Sequence, residues 1–195
     1  MLRICIVFVL LFLPVLATAQ ITGPVRVIDG DTIDVGDTRI RLHAIDAPEM
    51  DQNCETEHGI AFACGAWVTA QIRNQFEGKR ASCTPRDVDR YDRIVATCEV
   101  RGADMGEVIV TRGWAFAFRR YGMDYDLTEK AAYVNGQGLH GLRVQSPAAF
   151  RATRVKGRLP VDPNCVIKGN ISNNGQIFHV PGQEFYDRTG INEKR

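Results

Sequence analysis

Ile28-Asp29-Gly30-Asp31-Thr32 is followed, after a short turn, by Arg39-Ile40-Arg41-Leu42-His43-Ala44-Ile45-Asp46-Ala47-Pro48-Glu49. Ile40, Leu42 and Ala44 alternate with Arg39, Arg41 and His43, the period-two pattern of a half-buried strand. A turn at Gly36-Asp37 folds a strand over Thr38–Ala44 back on Thr32–Val35, with Val25–Ile28 as a strand before them, and Pro48 stops the third. This pairing places Asp31 near the corner formed by Asp46 and Glu49. Clustered carboxylates repel one another unless a cation sits between them. Oxygen donors without histidine favour a hard cation such as calcium or magnesium. Arg41, on the strand between the acids, suggests a phosphate beside that metal.

Outward from this stretch, His58–Phe76 reads as a helix with Ile60, Ala63, Trp67, Ala70 and Ile72 near one face. Lys79–Thr84 and Ile94–Val100 read as two more strands. Met105–Arg112 is a helix closed by Gly113, and Leu127–Val134 another, ending before Asn135-Gly136. Three strands, a helix, two strands and further helices fit an α+β, mainly β fold: a five-stranded Greek-key barrel of the oligonucleotide-binding (OB) type. Periodicity alone leaves other α+β arrangements open.

The chain has 195 residues, room for one domain and a small appendage, with 45% hydrophobic and 24% charged residues. A net charge of +1 argues against a basic architectural nucleic-acid binder. Arg3, the apolar run Ile4–Leu16 and the small residues Ala17-Thr18-Ala19 read as a signal peptide over residues 1–19, so the mature protein is expected to be exported, periplasmic or secreted, without stable membrane association. Export makes the remaining cysteines disulfide candidates, with Cys54–Cys64 and Cys83–Cys98 the expected pairs and Cys165 left over. No Cys-x-x-Cys spacing points to a thiolate metal site. Residues 152–163, with Leu159-Pro160-Val161-Asp162-Pro163, read as a linker. Beyond them, 164–195 reads as a small module with a hairpin over Ile167–Ile171 and Ile177–Val180, and a disordered tail is the other reading. Its pattern resembles a module appended to some bacterial exported proteins, stopping short of that module's Trp-Phe-Cys element.

Asp29-Gly30-Asp31-Thr32, Arg41 with Asp46-Ala47-Pro48-Glu49, Asp89-Arg90-Tyr91-Asp92-Arg93, and Met105-Gly106-Glu107 running to Arg112-Gly113-Trp114-Ala115 together resemble the staphylococcal nuclease-like (thermonuclease) family. The resemblance covers about residues 21–151 and implies the same OB barrel. It implies Asp31, Asp46 and the Ala47 carbonyl as ligands of Ca2+. Asp29 and Thr32 would orient ligands and waters from behind, and Glu49 would act as general base. Arg41 and Arg93 would be catalytic donors to the phosphoryl oxygens, and Arg90 and Tyr91 contacts to a neighbouring phosphate. The implied activity is calcium-dependent hydrolysis of phosphodiester bonds in DNA and RNA, preferably single-stranded, with little sequence specificity, by a monomer. The alternative is a nuclease-like module that binds nucleic acid with weak or no cleavage. Two positions depart from the family pattern: Asp92 stands where glycine is usual, and His140 where tryptophan is usual. His43, His58, His140 and His179 are scattered without ligand spacing, and Trp114, Phe116 and Phe118 are expected to pack beneath the barrel rather than stack bases.

Overall fold

The computed structural model describes residues 20–156, 167–172, 175–182 and 186; the expected signal peptide, Cys165 and the Leu159–Pro163 stretch lie outside them. Five strands form the barrel: β1 (Ile21–Val27), β2 (Thr32–Val35), β3 (Thr38–Leu42), β4 (Arg80–Val88) and β5 (Ile94–Val100). Antiparallel pairs run β3-β2-β1-β4-β5, and a parallel β3–β5 pair closes the cylinder. This is the OB-type α+β architecture expected from the order of elements. Alternation decides the inside: Val25 and Val27 are buried while Pro24 and Arg26 are exposed, and Ile33, Ile40, Leu42 and Ala96 fill the interior.

Helix α1 (Cys64–Phe76) packs against β1 of the barrel. It starts six residues later than its sequence pattern suggests. Cys54–Glu55 and Ala61–Phe62 pair as a tight hairpin, with Gly59 in the left-handed region at φ +76°. The buried face is accordingly Val68, Thr69, Ile72 and Phe76, while Ile60, expected on it, is 64% exposed. Helix α2 (Met105–Thr111) is capped by Asp104, whose carboxylate accepts from the amides of Gly106 and Glu107 and from the Tyr125 hydroxyl. Helix α3 (Asp126–Val134) packs on α2. His140 takes a place among aromatic rings, edge-on to Phe116 and Tyr133, with its Nε2 buried and without a hydrogen-bond partner among the described residues. Burial holds its pKa below the ordinary histidine value.

A fourth helix, α4 (Pro147–Lys156), runs through the start of the stretch expected to be a linker. Its start carries ordinary signals: the Ser146 hydroxyl accepts from Ala149 N, and proline occupies the first helical position. Farther on, Lys168–Ser172 pairs antiparallel with Gly175–His179. No helix among the described residues is long and apolar enough to cross a membrane.

Both expected disulfides are formed. Cys54–Cys64 ties the short hairpin to the first residue of α1, and Cys83–Cys98 links directly opposed residues of β4 and β5. The second closes a loop of 15 residues carrying Arg90, Tyr91 and Arg93. In the chain-entropy model such a link stabilises the fold by about 3 kcal/mol. Replacing Cys83 and Cys98 together by alanine is therefore expected to lower the unfolding free energy by an amount near that value, read as a lower midpoint of chemical denaturation, and to weaken substrate binding through the loosened loop. An unchanged midpoint would show that the bridge does not constrain the chain.

Candidate active site

The barrel registers bring the acids and arginines to one rim. Thr32 of β2 lies opposite Arg41 of β3, so Asp31, one residue earlier, sits beside Arg41. The Leu42 amide donates to the Asp31 carbonyl at 2.8 Å and locks that register. Strand β3 ends at Leu42 rather than Ala44, because Ala44 turns into the left-handed region at φ +55°. The chain is thereby redirected, and Ile45–Asp46 pairs with Phe116–Ala117 instead. That turn aims Asp46 at the face of Arg41.

The Arg41 guanidinium bridges both aspartates: Nη1 donates to Asp31 Oδ1 at 2.5 Å and Nη2 to Asp46 Oδ1 at 3.2 Å. Asp31 also accepts from the Thr32 hydroxyl at 3.1 Å and from the Ala47 amide at 3.2 Å. Its own amide donates to Asp29 Oδ1 at 3.1 Å, so Asp29 shapes the turn that presents Asp31. Burial pushes the Asp31 carboxyl up to about 7. Arg41 pulls it down, while the charges of Asp29 and Asp46 add to the rise.

Two glycines make the corner possible by close approach. A Cβ on Gly30 would stand 2.5 Å from Ala47 Cβ, and one on Gly65 would stand 1.7 Å from the Glu49 carbonyl oxygen. The first residues of α1 thus press directly on the backbone of Glu49. Gln52, fully buried, braces the same loop: its Oε1 accepts from the Glu49 amide at 3.3 Å.

The rim opens into a cleft of about 680 Å³. Its walls include Asp29, Asp31, Thr32, Arg41, Ala47 and Glu49 on one side and Arg90, Tyr91 and Arg93 on the other. Asp46 does not line the cleft itself; it lies behind Arg41 and Arg151, 4% exposed. Arg93 is oriented by Asp89, whose carboxylate accepts from its Nε at 2.8 Å and lies 2.7 Å from its Nη2. Burial pushes Asp89 up, but the Arg93 side chain and the amides of Arg93 and Tyr91 outweigh it and hold the carboxyl below its ordinary range. The Tyr91 ring is exposed, with the guanidinium carbons of Arg90 and Arg93 at 4.9 and 5.5 Å from its centroid. Phe118, expected to pack beneath the barrel, lines the cleft with Arg120 and Tyr121, while Trp114 and Phe116 pack partly buried against the core. His43 stacks on Tyr121.

One residue at the site carries no sequence motif. Arg151 of α4 reaches Asp46 through Nη1 at 3.1 Å and Nη2 at 3.0 Å, and Glu49 Oε1 through Nη1 at 2.9 Å. Burial disfavours its charge, but the two carboxylates outweigh that and raise its pKa above the ordinary value. The one sequence signal available was the Ser146-Pro147 helix start, which places an arginine four residues in.

Asp92 adopts φ +59°, the left-handed conformation that glycine would supply and that aspartate tolerates better than most residues. Asp92 is exposed and directly precedes Arg93 in the chain. Asp92→Gly is expected to raise kcat/KM on nucleic acid severalfold by removing a negative charge at the phosphate-facing loop. The gain should shrink as ionic strength rises past the roughly 10 Å screening length of 0.1 M salt. A drop in kcat/KM would assign the aspartate a positive role.

Oxygen donors only, two buried carboxylates sharing one guanidinium, and a carboxyl driven upward by burial suit a hard cation at Asp31 and Asp46. Among the described residues no three His, Cys, Asp or Glu side chains group into a metal cage, so any such site would be an open one that draws further oxygens from backbone, water or substrate.

An OB-type barrel whose rim gathers acids and arginines into a cleft defines the class. The chain belongs to the staphylococcal nuclease homologue family, whose profile matches residues 39–139, and that family is one of metal-dependent nucleases. It is 30% identical over 159 residues to succinoglycan biosynthesis protein ExoI of Rhizobium meliloti (strain 1021), covering 76% of this chain and 78% of that one. It is 37% identical over 117 residues to an uncharacterized endonuclease of Escherichia coli, covering 57% and 69%. A micrococcal nuclease of Shigella flexneri is 32% identical over 132 residues, covering 60% and 70%.

Proposed function

We propose that this protein is an exported, calcium-dependent endonuclease that hydrolyses phosphodiester bonds of DNA and RNA with little sequence specificity, acting as a monomer on single strands. The observation that carries this reading is the shared guanidinium of Arg41 between Asp31 and Asp46, at the edge of a cleft that also presents Glu49, Arg90 and Arg93.

Asp31, Asp46 and the Ala47 carbonyl would hold the cation. When bound, it neutralises charge on the scissile phosphate and positions it. Arg41 and Arg93 donate to the non-bridging oxygens, bonds that strengthen as charge develops there. Glu49 takes a proton from a water; the water oxygen attacks phosphorus; the opposite P–O bond breaks, and the leaving oxygen takes a proton from solvent. Asp29 holds the Asp31 turn, and Thr32 donates to Asp31, so both act by orientation. Arg90 and Tyr91 receive the neighbouring nucleotide. Backbone grip with stacking carries little base information, which accounts for the broad specificity.

The test is hydrolysis of single-stranded DNA by the purified chain with calcium or with excess chelator. Activity is expected with calcium and none in chelator, and Asp31→Ala or Asp46→Ala is expected to abolish the calcium stimulation. Undiminished cleavage in chelator would overturn the metal assignment.

A further inference from the structure

We propose that Arg151 of α4 is a counter-ion latch: it occupies the carboxylate corner of the metal-free protein and sets the cation concentration at which the site loads. The inference rests on the reading of Asp31 and Asp46 as cation ligands.

Both oxygens of Asp46 are engaged. Oδ2 accepts from Arg151 at 3.0 Å, and Oδ1 is shared between Arg151 at 3.1 Å and Arg41 at 3.2 Å. The same guanidinium holds Glu49 Oε1 at 2.9 Å. A cation therefore meets Asp46 only by displacing Arg151 or by standing beside its charge. Two like charges at such range repel strongly in a partly buried site. Arg41 cannot perform this function, because its 15% exposed side chain is held within the rim by Asp31. Arg151 is 40% exposed and sits at the cleft surface, so it can leave toward water.

The latch is mounted on the loop that carries the candidate base. Gln52 donates from Nε2 to the Gln145 carbonyl at 2.7 Å while its Oε1 accepts from the Glu49 amide. Glu55 and Arg143 exchange backbone hydrogen bonds at 3.1 and 2.9 Å, next to the Cys54–Cys64 disulfide. The start of α4 is thus pinned to the Glu49 loop at two points, and Arg151 returns to the same carboxylates whenever the corner is free. Arg151 lies on α4, beyond residues 39–139 matched by the family profile.

Calorimetric titration of the metal-free full chain with calcium tests this, with thermal melting to establish that each variant is folded. Arg151→Ala and Arg151→Gln are expected to bind calcium about tenfold or more tightly than the wild type, from loss of one adjacent positive charge. Arg151→Lys keeps the charge without the two-pronged geometry and is expected to fall between the wild type and these two variants. Equal or weaker calcium binding by folded Arg151→Ala, with the wild type binding normally, overturns the latch and leaves the metal site standing. If no variant and no wild-type sample binds calcium, the metal reading fails and the latch falls with it.

Discussion

Glu49→Gln is expected to lower turnover on single-stranded DNA by about 10²- to 10⁴-fold, the usual loss when a general base is removed. The side chain is placed for that work: it lines the cleft, is 33% exposed and so meets water, and hangs from a loop braced by Gln52 and by the close approach of Gly65. Glutamine keeps the shape and can still accept from Arg151, so the loop and the fold are expected to survive. What disappears is the capacity to take a proton. Single-stranded DNA should therefore bind the variant as tightly as the wild type, with the loss confined to kcat. Wild-type turnover in the variant would remove Glu49 from the chemistry; a loss confined to KM would recast it as a binding group.

Arg41→Ala is expected to cost about 10²- to 10³-fold in kcat, the magnitude seen when one donor to a developing oxyanion is removed. It has a second consequence that Arg93→Ala lacks. Arg41 is the shared partner of Asp31 and Asp46, and both acids are buried, so its removal leaves Asp46 with Arg151 and Asp31 with no ion-pair partner among the described residues. Arg41→Ala is thus expected to lower thermal stability in the absence of metal and to regain it on adding calcium. Arg93→Ala leaves Asp89, at the far wall, still accepting from the amides of Tyr91 and residue 93, and is expected to reduce kcat with little calcium-dependent change in melting. Arg41→Lys separates charge from geometry: a lysine retains the charge but cannot span two carboxylates in one plane. Wild-type kcat in both alanine variants would mean that the phosphoryl oxygens are stabilised elsewhere.

Much of the barrel was legible along the chain because strands advertise themselves locally. Alternating Ile40, Leu42 and Arg39, Arg41 marked β3, and the two-residue turn at Gly36-Asp37 set its register against β2. That register alone places Asp31 beside Arg41. The disulfide pairs were legible for a similar reason, since Cys83 and Cys98 face each other across one hairpin. The left-handed backbone at Asp92 matched the glycine that the motif leads one to expect.

Other features depended on contacts between distant segments. The buried face of α1 followed the docking of the helix on the barrel, so Val68 and Phe76 went inside while Ile60 stayed out. The end of β3 was decided by Ala44, whose turn is maintained by pairing of Ile45–Asp46 with Phe116–Ala117 some seventy positions on. Arg151 meets Asp46 across a separation of 105 residues. Periodicity and turn chemistry report hydrogen bonds and side-chain directions within a few residues, and those are determined by the chain locally. Which of many arginines reaches a buried carboxylate depends on how helices pack on the finished barrel, and that is decided only when the tertiary structure brings α4 over the rim.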